Sequence, residues 1–161
     1  MIKLLTMITL ALAASACASK AQTPTDARAQ SALSMKAVDR VSFIDSFGAV
    51  VASYEGEYTC AQGFTSLKLD VGELYPDGTR YASFAFGANA PNPSVQSGGF
   101  IMQGRVDLAG GGITLKPIKW LYRPAGYVWV ALSGVAERDG NVLEGTVIGP
   151  GCTRFLLNRT R

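Results

Sequence analysis

The chain has 161 residues, with 15 Lys and Arg, 12 Asp and Glu, no histidine and 48% hydrophobic residues. This length suffices for one domain with a single core, and the apolar fraction excludes a disordered chain. Without histidine the chain cannot form a Ser-His-Asp triad, a Cys-His pair or an HExxH zinc site.

The first residues, MIKLLTMITLALAASAC, have the layout of a secretory signal peptide. Lys3 supplies a positive start, residues 4–14 form an apolar stretch too short to span a bilayer, and Ala14-Ser15-Ala16 is a small-residue cleavage site. We predict that residues 1–16 are removed on export. The remaining chain is nearly neutral, which argues against a nucleic-acid partner bound by charge.

Cys17 follows the small residues directly, so the junction resembles a bacterial lipobox. The resemblance implies that Cys17 becomes the lipid-modified N-terminus of a lipoprotein on the periplasmic face of the outer membrane. Ala14 stands where the lipobox usually has leucine, and ordinary cleavage after Ala16 would instead release a soluble periplasmic protein. Residues 17–37, rich in Ala, Ser, Thr and Gln, are typical of a tether.

The chain contains three cysteines, an odd number for an exported protein. A lipid on Cys17 would leave Cys60 and Cys152 to form a disulfide in an oxidising compartment, and two buried free thiols are the alternative. Two cysteines without histidine cannot complete a usual zinc shell, so we expect no metal.

The apolar residues change their period near Glu57. Residues 38–54 have the spacing of an amphipathic helix, with a stripe formed by Phe43, Phe47, Val50, Val51 and Tyr54. From Glu57 onward apolar residues recur at every second position, a pattern that predicts about eight strands. They begin near Glu57, Phe64, Arg80, Gly99, Ile113, Tyr127, Val142 and Cys152. Turn residues separate several of them, at Tyr75-Pro76-Asp77-Gly78, Gly110-Gly111-Gly112 and Asp139-Gly140.

This series predicts an all-β domain over residues 38–161, with one N-terminal helix and an antiparallel barrel of about eight strands. A β-sandwich is the alternative. In a closed up-and-down barrel the first and last strands are neighbours, so a bond between Cys60 and Cys152 agrees with closure. A membrane-embedded barrel is disfavoured because several strands carry charged residues opposite their apolar face.

Two long connections are candidate binding loops, because loops on a rigid scaffold often carry function. Residues 88–98 contain Asn89 and Asn92, and residues 116–129 place aromatic rings beside cations, as sugar and protein recognition surfaces do. The alternatives are a stiff crossover in the first connection and core tryptophans in the second. The predicted binding residues are Asn89, Asn92, Trp120, Tyr122, Arg123 and Tyr127.

Tyr58-Thr59-Cys60 near the domain start and Gly151-Cys152 near its end resemble, in layout, small envelope lipoproteins that inhibit lysozyme. The resemblance implies an anchored β-barrel whose disulfide joins near-terminal strands. The inhibitory loop motif of that family has no counterpart here, so the resemblance transfers no functional residue.

We therefore expect an envelope binding module of the protein-interaction or inhibitor type, whose partner is an envelope protein or a glycan. We expect no enzymatic activity and no cofactor, because no acid-base constellation is visible. A carrier of a small apolar ligand inside the barrel is the alternative, and a hydrolase is less favoured.

Overall fold

The structure, a computed structural model, describes residues 47–161 and consists of a closed antiparallel barrel of eight strands. The strands are β1 (Val50–Cys60), β2 (Gly63–Leu74), β3 (Arg80–Gly87), β4 (Gly98–Val106), β5 (Gly112–Tyr122), β6 (Ala131–Glu137), β7 (Val142–Ile148) and β8 (Arg154–Arg159). Each strand pairs with the next, and β8 pairs with β1. The predicted eight-stranded antiparallel barrel is confirmed, and the sandwich alternative is wrong.

The predicted helix is wrong at its C-terminal end, because Val50–Tyr54 belong to β1. The segment contains Val50, Val51 and Tyr54, residue types that favour strands, and it pairs with β2, while Tyr54 also pairs with β8. The described residues contain no helical element, and none of them forms a helix with the length and apolar character needed to cross a membrane. The signal peptide, Cys17, the tether and residues 38–46 of the predicted helix lie outside the described residues.

The pairing of β1 with β8 closes the barrel. Its register runs from Tyr54 opposite Arg159 to Tyr58 opposite Phe155. Just beyond this ladder the predicted disulfide joins Cys60 to Cys152, which are 92 residues apart in the chain. The two ends of the domain are therefore held together by backbone hydrogen bonds and by a covalent bond.

Large apolar side chains fill the barrel. The rings of Phe84 and Phe100 stack with centroids 4.6 Å apart, and Phe155 is 2% exposed. The fully buried Tyr54 hydroxyl donates a hydrogen bond to the Gly140 carbonyl, 2.8 Å away. A buried hydroxyl needs such a partner, because leaving it unpaired would cost about 1–3 kcal/mol.

The turns follow the chemistry that the sequence indicates. Asp139 and Gly140, between β6 and β7, have φ values of 56° and 78°, the signs that a tight I′-type hairpin turn requires. Gly78 has a φ of 79°, and its N–H donates to the Tyr75 carbonyl at 2.9 Å. Glycine fits this left-handed region because it has no Cβ to clash with the backbone.

We expect that loss of the disulfide, in the Cys60→Ser/Cys152→Ser variant, lowers the free energy of unfolding by up to about 4–5 kcal/mol. The bond closes a long loop and so restricts the unfolded chain. Urea unfolding followed by circular dichroism measures the change. The Cys17→Ser protein is the control and should unfold like the unmodified chain. Equal midpoints for the disulfide variant and the control would contradict the expectation.

Candidate functional site

The up-and-down topology sends alternate connections to opposite ends of the barrel. One end, the mouth, carries residues 61–62, 88–97, 123–130 and 149–153. The other end, the base, carries residues 75–79, 107–111 and 138–141. The β3–β4 and β5–β6 connections are therefore both at the mouth. The two connections that the sequence singled out thus meet at one end of the molecule, beside the disulfide.

The second connection is shorter than the sequence suggested, because residues 116–122 belong to β5. Residues 123–130 fold across the mouth toward the β3–β4 connection. The Tyr127 ring stacks on Phe86 at 5.3 Å, and its hydroxyl accepts a hydrogen bond from the Gln96 N–H at 3.3 Å. Pro124 is buried beside Gly98, where an added Cβ would collide with it. Residues 123–130 thus bridge the barrel opening.

Because residues 123–130 cross the mouth, the half of β5 nearest the mouth has no paired strand on the side that faces β6. β5 pairs with β6 only from Gly112 opposite Val135 to Leu115 opposite Leu132, whereas residues 116–122 pair with β4. Within residues 47–161, no backbone hydrogen bond joins residues 116–122 to residues 123–130. Pro117, which has no N–H, lies just past the last β5–β6 pair. We call residues 116–122 the free edge of β5.

Three aromatic and cationic side chains near the free edge, those of Trp120, Arg123 and Trp129, contact one another through Trp120. Trp120 meets Phe100 edge-to-face at 5.1 Å and Trp129 at 6.1 Å. The Arg123 guanidinium lies 5.7 Å from the centre of the Trp120 ring, and its Nε donates to the Tyr127 carbonyl at 3.1 Å. Trp120 thus packs on the core and also meets exposed groups at the mouth.

The asparagines of the β3–β4 connection hold the loop in place. The Asn92 N–H donates to Asn89 Oδ1 at 3.0 Å, and the Asn92 side-chain amide donates to the Gln62 carbonyl in the β1–β2 turn. Ser94 Oγ donates to Asn92 Oδ1 at 3.2 Å. Because these polar atoms bond within the protein, the aromatic groups are the stronger binding candidates.

Exposed apolar side chains outside the predicted set of binding residues surround the free edge. Ile118 is 41% exposed, Val128 54% and Trp129 42%, and the predicted residue Tyr122 is 50% exposed. The signal that could have found them is Pro117, which disfavours pairing in the middle of a strand. Pro117 alone does not show whether β5 loses its pairing with β4 or its pairing with β6.

Positive charge dominates the surface formed by β4, β5 and residues 123–130. Arg105, Lys116, Lys119 and Arg123 are exposed, and residues 98–106 and 112–136 include neither Asp nor Glu. Among residues 47–161 the one ion pair, between Lys68 and Glu55, lies on β1 and β2. In the described part of the chain none of these four cations is in an ion pair, and they form a positive surface that runs from Arg105, opposite Thr114 near the base, to Arg123 at the mouth.

Tyr58 lies beneath the bridge, with its ring 5.4 Å from that of Phe84. Its hydroxyl accepts a hydrogen bond from Gln62 Nε2 at 3.1 Å. Burial raises the pKa of Tyr58 above its ordinary value, and the nearby Tyr127 raises it further. The side chain therefore stays neutral and closes the top of the core.

A surface cleft of about 790 Å³ lies near the base, lined in part by Arg80 and Arg105. Arg80 donates from Nε to the Val106 carbonyl at 3.2 Å and from Nη1 to the Gly72 carbonyl at 3.0 Å, so its guanidinium braces the strand ends. In the part of the chain that the structure describes, no three Cys, Asp or Glu side chains are grouped to hold a metal ion.

Comparison with known proteins finds no matching family model, no matching curated protein and no matching solved structure. The candidate site therefore depends on the geometry and chemistry of its own residues.

We expect Tyr58→Phe to move alkaline unfolding to higher pH. Because folding raises the pKa of Tyr58 above 10.0, the associated stability is complete below pH 10 and is lost as the pH rises further. Phenylalanine removes this ionisation, although Tyr54, whose pKa is also raised by burial, still contributes. At neutral pH we expect a loss of about 1 kcal/mol, because the Gln62 hydrogen bond disappears.

Circular dichroism and phenolate absorbance, followed during a pH titration, measure this shift. Tyr122→Phe is the matched control, because that side chain is half exposed. An alkaline midpoint of Tyr58→Phe identical to that of the unmodified chain would contradict the expectation.

Proposed function

We propose that the protein is an exported binding module of the cell envelope. Lipid on Cys17 holds it to a membrane, and it takes its partner at the mouth and the free edge of β5. The observation that carries the proposal is the cluster of Trp120, Arg123, Tyr127 and Trp129, with exposed cations around it. Tryptophan, tyrosine and arginine are the residues that most often dominate binding energy at interfaces.

The rigidity of the barrel supports this role. The site is built on a closed barrel with a disulfide at the same end, and the bridge is packed against Phe86 and the β3–β4 connection. A pre-organised surface binds with a smaller loss of conformational entropy than a flexible one. The exposed rings are thus held ready for a partner.

The direction of the chain supports an anchored protein whose mouth points away from its anchor. β1 begins at the base, where the Phe47 ring stacks on Tyr81 at 4.5 Å and the Tyr75 hydroxyl donates to the Phe47 carbonyl at 3.5 Å. The described chain therefore begins at the base, at the end of the barrel opposite the mouth. The mouth, at the opposite end, is then free to meet other envelope components.

The alternative, a carrier of a small apolar ligand, has less support. Tyr54, Phe84, Phe100 and Phe155 are fully buried within the barrel, so large side chains occupy the space that a ligand would need. The cleft near the base is open to solvent and lies away from the aromatic cluster.

Site-specific photo-crosslinking in cells tests the proposed binding role. A photoreactive residue in place of Tyr122 should capture a discrete envelope component. The same residue in place of Leu74, which is 59% exposed where β2 ends at the base, should not capture it. Trp129→Ala should reduce capture at position 122 about tenfold, because a hot-spot aromatic contributes at least about 1.4 kcal/mol. Equal products from positions 122 and 74 would contradict binding at the mouth.

Metabolic labelling with a fatty acid tests the membrane attachment. The full chain should incorporate the label and sediment with membranes, whereas Cys17→Ser should do neither. Cys60→Ser/Cys152→Ser should still be labelled, because neither cysteine belongs to the lipobox-like junction at Cys17. An unlabelled, soluble full chain would refute the anchor and favour ordinary cleavage after Ala16.

A further inference from the structure

We propose that the free edge of β5 is completed by an extended acidic segment of a partner protein, which adds a strand beside residues 116–122. This inference names the partner class and rests on the proposed binding role. It follows from three properties of the edge: its open backbone, its exposed apolar side chains and its charge.

The backbone of the free edge can accept a strand. Residues 116–122 belong to β5 and pair with β4, with register shifts at Ile118 and Leu121, and the bridge does not pair with their other side. Apart from Pro117, which has no N–H, these residues carry both a donor and an acceptor. Seven residues at about 3.3 Å each offer an edge of about 23 Å. Strand addition at such an edge takes its affinity from main-chain hydrogen bonds, which these unpaired groups can supply.

The side chains beside the edge favour an extended peptide. Ile118 and Tyr122 lie on the edge itself, while Val128 and Trp129 lie on the bridge, and all four are exposed. Contiguous exposed apolar groups of this kind mark protein interaction sites. In an added strand, alternate side chains would pack against this apolar surface.

The charge of the edge selects an acidic partner. Lys116 and Lys119 lie on the edge, Arg105 and Arg123 lie nearby, and residues 112–136 contain no acidic side chain. A second copy of this chain would place lysines against lysines, which disfavours edge-to-edge dimerisation. A glycan could stack on the tryptophan rings but would not form strand-like hydrogen bonds with the backbone of the edge.

The chain supplies its own reporter for this site, since its two tryptophans, Trp120 and Trp129, both lie there. The probe is a synthetic peptide of about ten residues in which glutamate alternates with valine or threonine, a length that matches ordinary strands. We expect a saturable change in tryptophan fluorescence of the full chain. N-methylation of alternate backbone nitrogens that face β5 should weaken binding about tenfold or more, because it removes the main-chain donors.

Charge reversal tests the selectivity. Lys116→Glu/Lys119→Glu should weaken binding of the acidic peptide about tenfold and should favour a peptide with lysine in place of glutamate. Arg138→Glu/Arg154→Glu is the matched control, because it makes the same change in net charge at exposed positions away from the edge. The control should bind the acidic peptide like the unmodified chain, and thermal unfolding confirms that both variants are folded.

Three results would overturn the inference. They are equal affinity for the N-methylated and parent peptides, the absence of a saturable fluorescence change, or a response to soluble peptidoglycan fragments without a response to the peptide. None of these results predicts the outcome of photo-crosslinking at position 122. Capture at that position without peptide binding would reject strand addition but keep the proposed binding role.

Discussion

The structure depends on one contact between distant parts of the chain, the pairing of β1 with β8. This ladder and the Cys60–Cys152 bond bring residues 92 positions apart in sequence to one seam of the barrel. Closure removes the exposed edges that an open sheet of eight strands would present. It also encloses Tyr54, Phe84 and Phe100 in a common interior, where burial of apolar surface stabilises the fold.

Closure also decides where the candidate site lies. With antiparallel neighbours throughout, the β3–β4 and β5–β6 connections end up at the same mouth. There Tyr127 contacts both Phe86 and Gln96, so the bridge is fixed to the core and to the facing loop. The same placement draws residues 123–130 away from β5, and one half-strand is left unpaired in a barrel that is otherwise closed.

The free edge combines two opposing tendencies. Unpaired strand edges invite association, and natural proteins guard them with lysine and proline. Lys116, Pro117 and Lys119 are guards of this kind. Lysines repel another lysine-rich edge but attract acidic side chains, so in the proposed complex they would select the partner and oppose self-association. Exposed tryptophan and tyrosine beside the edge then supply the apolar contact that electrostatics alone does not provide.

The sequence by itself determined the local features of this protein. The sequence predicts the strands from apolar residues at every second position, and it predicts the turn at Asp139-Gly140 and the Cys60–Cys152 disulfide. Each of these predictions is confirmed, because each depends on neighbouring residues or on composition. Only the tertiary structure decided which elements meet. Val50–Tyr54 suit a helix by spacing, yet pairing with β2 and β8 makes them a strand. The contacts of Trp120 with Trp129 and the unpaired side of β5 arise from the path of the bridge across the mouth. That path is set by packing against β3 and β4, which are distant in sequence, so no local pattern could specify it.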